Sequence, residues 1–90
     1  MKAKIGVPLK VFGQYRSEYL TKIVELPCKP CVGEQVEIGD VEITVKYVSI
    51  ITESDDDYDL SIEAETKEYG EYEPEACEAK IEEMKSAGWN

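Results

Sequence analysis

The chain has 90 residues, a hydrophobic fraction of 42% and a net charge of −10, from 20 acidic and 10 basic side chains. This length corresponds to one domain, and the hydrophobic content suffices for a core, which excludes a globally disordered protein. The sequence has no apolar run of about eighteen residues, which excludes a membrane-spanning helix, and it has no histidine, which removes the usual proton carrier of enzymes, so we predict no catalytic activity.

Two strands are predicted in the first third of the chain. Every odd-numbered residue from Ala3 to Val11 is apolar, and the even-numbered residues are Lys, Gly or Pro, the period-two pattern of a half-buried strand. Because Pro8 has no N–H group for a ladder, we expect this strand to lie at a sheet edge or to have a break at that residue. Residues 12–17 predict a turn, and residues 19–28 predict the second strand.

A hairpin follows in the middle of the chain. Residues 36–38 predict a short third strand, and the Gly39–Asp40 pair predicts a tight turn into a fourth strand over residues 41–52. Within the fourth strand the apolar residues change parity after Tyr47, so we expect a β-bulge or sharp bend near Tyr47 and Val48. Residues 58–66 predict a fifth strand with an acidic solvent face, and residues 67–73 predict a linker.

The last part of the chain predicts a helix. Pro74 suits the first position of a helix, and an apolar stripe with i, i+4 and i+7 spacing runs from Cys77 to Met84. Gly88 is typical of the residue just past a helix C-terminus, and Trp89 is then placed to fold back onto Met84.

Together these elements predict a single α+β domain over residues 1–90. We expect a small, strongly bent antiparallel sheet of about five strands over residues 2–69, with one C-terminal helix over about residues 74–87 docked on it. A sheet bent in this way resembles a partly open SH3-like barrel.

The charges are unevenly distributed along the sequence. Residues 1–30 carry six basic and two acidic side chains, whereas residues 31–90 carry four basic and eighteen acidic ones. A negative field opposes the approach of nucleic-acid phosphates and anionic membranes, so we expect neither as a partner. Basic proteins, or nucleic-acid-binding protein complexes with basic grooves, are the partners that this field attracts.

The acidic residues are densest between Glu53 and Glu75, where eleven acidic side chains accompany only one basic side chain, Lys67. Alternate side chains on a strand stand roughly 6–7 Å apart, close to the phosphate spacing along a nucleic-acid strand. We therefore predict an acidic protein-binding face with aromatic anchors. Its candidate residues are Asp55, Asp56, Asp57, Asp59, Glu63, Glu65, Glu68, Tyr69 and Tyr72.

The leading functional hypothesis is a small non-enzymatic interaction protein whose acidic face binds a basic protein surface. In its sharper form the protein is a phage-type inhibitor that mimics nucleic acid and blocks a host defence complex. The first alternative is a small-molecule or nucleotide-binding module with a pocket near Tyr15, Tyr47 and Trp89. Contacts between the basic part of one copy and the acidic part of another would give a homo-oligomer.

The three cysteines provide a second alternative. Cys28 and Cys31 have Cys-x-x-Cys spacing, and with Cys77 they supply three of the four ligands of a zinc-stapled structural domain. The favoured interpretation is a turn shaped by prolines, with Cys77 in the core and no bound metal or cofactor. An odd number of cysteines and the lack of a signal-peptide pattern lead us to expect a cytoplasmic protein.

Overall fold

The structure, a computed structural model, describes residues 1–11, 17–52, 57–70 and 74–90. These ranges contain β1 (Lys2–Val11), β2 (Ser17–Glu25), β3 (Gln35–Ile38), β4 (Val41–Ile50), β5 (Leu60–Ala64), β6 (Lys67–Tyr69) and α1 (Pro74–Ser86). Nowhere in them is a helix both long enough and apolar enough to cross a membrane.

The strands form one sheet in the order β2-β1-β5-β4-β3. β1 pairs antiparallel with β2 and parallel with β5, and β6 continues the pairing of β5 farther along β1. The strands therefore occupy five positions across a strongly curled half-barrel. The predicted α+β class, the bent sheet and the C-terminal helix are confirmed, and the parallel pairing of β1 with β5 makes the sheet mixed.

β1 is a central strand whose pairing has a gap on one side. It pairs with β5 through Gly6 and with β6 from Leu9 onward, so Val7 and Pro8 have no register partner on that side. The missing N–H of Pro8 coincides with this gap in the ladder, while β1 itself continues without a break from Lys2 to Val11. The alternative prediction of an edge position is wrong, because β2 and β5 flank β1 on both sides. The predicted linker is also wrong for residues 67–69, which form β6.

The register between β4 and β5 shifts between Val45 and Tyr47, which leaves Lys46 as an extra residue. Such a bulge bends its strand and increases the local twist. Val45 before the shift and Val48 after it pair with residues of β5 that are buried. The predicted bulge near Tyr47 is therefore confirmed, and it keeps one face of β4 turned towards the core.

One face of the sheet, here called the inner face, holds the core together with α1. The odd-numbered residues of β1 are at most 1% exposed, as their period-two pattern predicts. The helix contributes its apolar stripe, and the opposite, outer face of the sheet is solvated. The buried side chains are Ala3, Ile5, Val7, Leu9, Val11, Leu20, Ile38, Val41, Ile43, Val45, Leu60, Ile62, Ala64, Cys77, Ile81, Met84 and Trp89.

The helix ends as its sequence predicts. Gly88 has φ +100°, a left-handed conformation that favours glycine, and its N–H donates to the Lys85 carbonyl at 3.2 Å. The N–H of Trp89 donates to the Met84 carbonyl at 3.0 Å, which completes a Schellman motif. Trp89 and Met84 both belong to the buried core.

Candidate functional site

The predicted site residues lie around β5 and β6, with three outside the described residues. Asp55, Asp56 and Tyr72 are those three. Asp57 and Asp59 are exposed before β5, Glu63 lies on the outer face of β5, and Glu65 is exposed just beyond its end. Glu68 is exposed in β6, whereas Tyr69 is half-buried and packs against the core.

β1 contacts this predicted acidic surface at both of its ends. Lys10 is the register partner of Glu68, because β6 pairs with β1. At the other end of β1, the backbone N–H of Lys2 donates to Asp59 Oδ2 at 3.3 Å. A lysine therefore adjoins the predicted acidic face at Glu68, because β6 pairs with the strand that carries the most lysines.

A different group of carboxylates comes together where β5 ends beside β4 and β3. Glu42 and Glu65 line a depression of about 250 Å³ together with Thr44, Thr66 and Lys67. Glu42 also lines a second depression, of about 230 Å³, with Glu37, Gly39 and Asp40. We call Glu37, Asp40, Glu42 and Glu65 the acidic ledge; only Glu65 was among the residues predicted from the sequence.

Two described lysines lie near the acidic ledge: Lys67 lines the depression of Glu42 and Glu65, and Lys80 Nζ donates to the backbone carbonyl of Asp40 at 3.5 Å. Glu37 and Glu42 are direct register partners in the β3–β4 hairpin. Like charges in such a position are destabilising, because their Cβ atoms stand about 4.5–5.5 Å apart. None of the four carboxylates makes an ion pair or hydrogen bond within the described part of the chain. The Gly39–Asp40 turn sets this pairing, so the sequence did contain a signal for it.

A second arrangement lies on the same outer face. Tyr19 of β2 reaches across β1, and its hydroxyl donates a 2.5 Å hydrogen bond to Glu63 Oε2 on β5. The ring crosses β1 at Gly6, where a β-carbon would lie 1.9 Å from the Tyr19 hydroxyl oxygen. Gly6 is therefore required for this contact, which joins residues 44 positions apart in sequence.

The surroundings of Tyr19 favour its neutral phenol. Partial burial over the sheet, together with the hydrogen bond and negative charge of Glu63, raises the pKa of Tyr19 from 10.0 to about 12. Desolvation disfavours the phenolate, and a neighbouring carboxylate repels it. The Tyr19 hydroxyl consequently remains a hydrogen-bond donor to Glu63 throughout the neutral pH range.

Glu63 has a second aromatic neighbour on the other side. Tyr47 of β4 is its register partner, so the two side chains share the outer face. Tyr47 is 61% exposed and Tyr19 is 52% exposed. The ammonium group of Lys46 lies 5.4 Å from the centroid of the Tyr47 ring. Two exposed tyrosines thus flank one carboxylate, an arrangement that sequence patterns do not reveal.

The cysteines lie in two separate environments. Cys28 and Cys31 are exposed in the segment that follows β2, which ends at Glu25, three residues earlier than predicted. Cys77 is buried in the helix. The described residues contain no group of three or more Cys, His, Asp or Glu side chains suited to a metal ion. The zinc alternative therefore has no support from the geometry.

Two residues of the predicted small-molecule pocket lie on opposite faces of the sheet. Tyr47 is exposed on the outer face, whereas Trp89 is buried beneath the inner face beside Met84. The sheet therefore separates the two residues, and Tyr15, the third, lies outside the described residues.

Comparison with known proteins identifies no relative. No protein-family model, no curated protein and no solved structure matches the chain.

Proposed function

We propose that the chain is a small, non-enzymatic interaction protein of the cytoplasm whose outer sheet face binds a basic surface of a partner protein. The binding surface consists of the acidic ledge, defined above, together with Glu63. We favour it over the continuous face between Glu53 and Glu75 that the sequence alone suggests, because Lys10 of β1 lies beside Glu68 in that face.

The observation that carries this proposal is the uncompensated Glu37–Glu42 pair. Two carboxylates face each other across a hairpin, a third lines the same depression as Glu42, and none of the three forms an ion pair with a described residue. A pairing that lowers the stability of the free protein is typical of a functional surface. A basic partner would relieve the repulsion on binding and would gain charge-assisted hydrogen bonds.

The spacing of these carboxylates supports a sharper form, in which the partner is a nucleic-acid-binding protein. Neighbouring strands lie about 4.8 Å apart, and alternate residues along a strand lie roughly 6–7 Å apart. The interval along a strand matches the separation of phosphates along a nucleic-acid strand, roughly 6–7 Å, and the interval between strands is somewhat shorter. The protein would then inhibit its partner by occupying the groove that holds nucleic acid.

The test compares two variants with the same change in net charge. Glu37→Gln/Glu42→Gln/Glu65→Gln neutralises three of the four carboxylates of the acidic ledge, and Glu75→Gln/Glu78→Gln/Glu82→Gln neutralises three exposed carboxylates of α1. The ligands are lysine-rich and arginine-rich peptides, and purified nucleic-acid-binding proteins loaded with fluorescent single-stranded DNA. Affinity is measured over a range of salt concentrations.

We expect the native protein to bind the peptides with an affinity that falls with salt, and to displace the DNA. The ledge variant should bind about tenfold more weakly, a loss of about 1.4 kcal/mol shared by three carboxylates, while the helix variant retains most of the affinity. Equal losses in both variants would show that net charge alone drives binding. No binding of the native protein to any basic ligand would refute the proposed function.

A further inference from the structure

Tyr19, Glu63 and Tyr47 form one group on the outer face, which we call the tyrosine–carboxylate clamp. The Tyr19 hydroxyl donates its hydrogen bond to Glu63 Oε2, and Oε1 accepts no hydrogen bond from any described residue. Tyr47 stands on the other side of the same carboxylate as its register partner. One carboxylate oxygen is thus available between two exposed aromatic rings.

Two of the three clamp residues, Tyr19 and Glu63, are held in place before any ligand arrives. Tyr19 lies over Gly6 so closely that a β-carbon at residue 6 would lie 2.5 Å from its Cζ atom. The hydrogen bond to Glu63 fixes the far end of the ring, and both β1 and β5 belong to the centre of the sheet. Groups that are already ordered lose little conformational entropy when a ligand binds.

Nearby cations do not satisfy the clamp carboxylate. Lys4, which shares the outer face, places its ammonium 5.6 Å from the centroid of the Tyr58 ring instead. Lys46 lies over Tyr47, which shows that this ring accepts a cation, and it makes no ion pair with Glu63. Two solvent-exposed tyrosines beside an unneutralised carboxylate are suited to a ligand that is both cationic and planar.

We propose that the clamp binds the guanidinium group of an arginine side chain of the partner. A guanidinium donates hydrogen bonds in its plane to a carboxylate and stacks its face on an aromatic ring, whereas an ammonium group has no plane to stack. This inference rests on the proposed function and deepens it: the acidic ledge supplies the general attraction for basic surfaces, and the clamp selects arginine over lysine.

The test measures selectivity rather than affinity alone. Two peptides of equal length and charge, one with arginine and the other with lysine at every basic position, are titrated against the protein. We expect the native protein to bind the arginine peptide about fivefold to tenfold more tightly. Glu63→Gln and Tyr47→Ala should bring this ratio close to one, because each removes part of the clamp. Amide chemical shifts of Gly6, Tyr19 and Glu63 should change more with the arginine peptide.

Two controls separate the clamp from the rest of the surface. Ile23→Ala removes another half-exposed side chain of the outer face and should leave the ratio unchanged. The ledge variant should weaken both peptides equally and keep the ratio. Circular dichroism is used to check that each variant is folded. Tyr47 is exposed enough for its replacement to leave the core intact.

The outcomes distinguish the two proposals. If the native protein binds both peptides equally, or if the arginine preference survives in Glu63→Gln and Tyr47→Ala, the clamp does not select arginine and the proposed function stands. If neither peptide binds, the proposed function fails, and the clamp proposal fails with it.

Discussion

Thr21 and Asn90 exchange two backbone hydrogen bonds, each 2.8 Å long, so the residue after Trp89 pairs with the edge of β2 that faces away from β1. Beside this pair, Lys22 Nζ donates a 2.7 Å hydrogen bond to the carbonyl oxygen of Ala87. The end of the helix is thereby attached to the sheet, and part of the β2 edge is shielded from pairing with other chains.

Trp89 should contribute most of the stability of this attachment. It is 2% exposed within the core, so Trp89→Ala should lower the free energy of unfolding by about 3–5 kcal/mol. Asn90→Ala keeps the backbone hydrogen bonds and should change it by less than about 0.5 kcal/mol. Urea denaturation measures both values, and a loss below about 1 kcal/mol for Trp89→Ala would show that the core tolerates the cavity.

Gly6→Ala should displace Tyr19, because the new β-carbon would lie 1.9 Å from the tyrosine hydroxyl oxygen. The hydrogen bond to Glu63 is then lost, and we expect a destabilisation of about 1–3 kcal/mol. In a Tyr19→Ala background the same substitution should be neutral or stabilising, since glycine within a strand costs roughly 0.5–1 kcal/mol relative to alanine. A cost of Gly6→Ala that is identical in the two backgrounds would contradict this steric coupling.

The raised pKa of Tyr19 predicts a loss of stability in alkali. The folded state binds this proton more tightly than the unfolded state does, because the pKa is about 12 in the folded protein and 10.0 ordinarily. The corresponding stabilisation is fully present below pH 10 and is lost as the pH rises from 10 to 12. Tyr19→Phe should make this part of the pH profile flatter.

Ultraviolet titration of the tyrosinates provides a direct measurement. One phenol should titrate near pH 12 in the native protein, and its pKa should fall part of the way towards 10 in Glu63→Gln, since burial persists after the charge is removed. Tyr47→Phe is the matched control and should leave this late-titrating phenol in place. A native protein without such a phenol would contradict the Tyr19–Glu63 contact.

The cysteines should differ in reactivity towards an aromatic disulfide reagent. Cys28 and Cys31 are exposed and should react in the native protein, whereas Cys77 is buried and should react only after unfolding. The hydrogen bond and negative charge of Glu34 raise the pKa of the Cys31 thiol. In a Cys28→Ser background, Glu34→Gln should therefore accelerate labelling of Cys31 at neutral pH, because the thiolate is the reactive form. An unchanged rate would exclude this influence of Glu34.

Relief of repulsion in the β3–β4 hairpin should be measurable without any partner. Glu42→Gln removes one charge of the Glu37–Glu42 pair and should raise the free energy of unfolding by about 0.2–1 kcal/mol. The gain should shrink at high salt, where the repulsion is screened. Glu82→Gln on the exposed face of α1 serves as the control, and an equal gain there would assign the effect to net charge.

The elements that the sequence predicted well are those with local causes. The alternation from Ala3 to Val11, the Gly39–Asp40 turn and the Gly88–Trp89 helix end each depend on a few consecutive residues. β6 was missed because three residues are too few to show a period. Of the candidate site, Glu63 and Glu65 were identified by their acidity alone.

The sequence by itself determined the buried residues of β1 and α1, the Gly39–Asp40 turn and the end of the helix, because side-chain periodicity and the φ > 0 preference of glycine act locally. Only the tertiary structure decided which charges become neighbours. The parallel pairing of β1 with β6 places Lys10 beside Glu68, and its pairing with β5 places Gly6 beside Glu63, within reach of Tyr19. Strand order depends on how buried faces pack over long sequence separations, and local patterns do not contain that information.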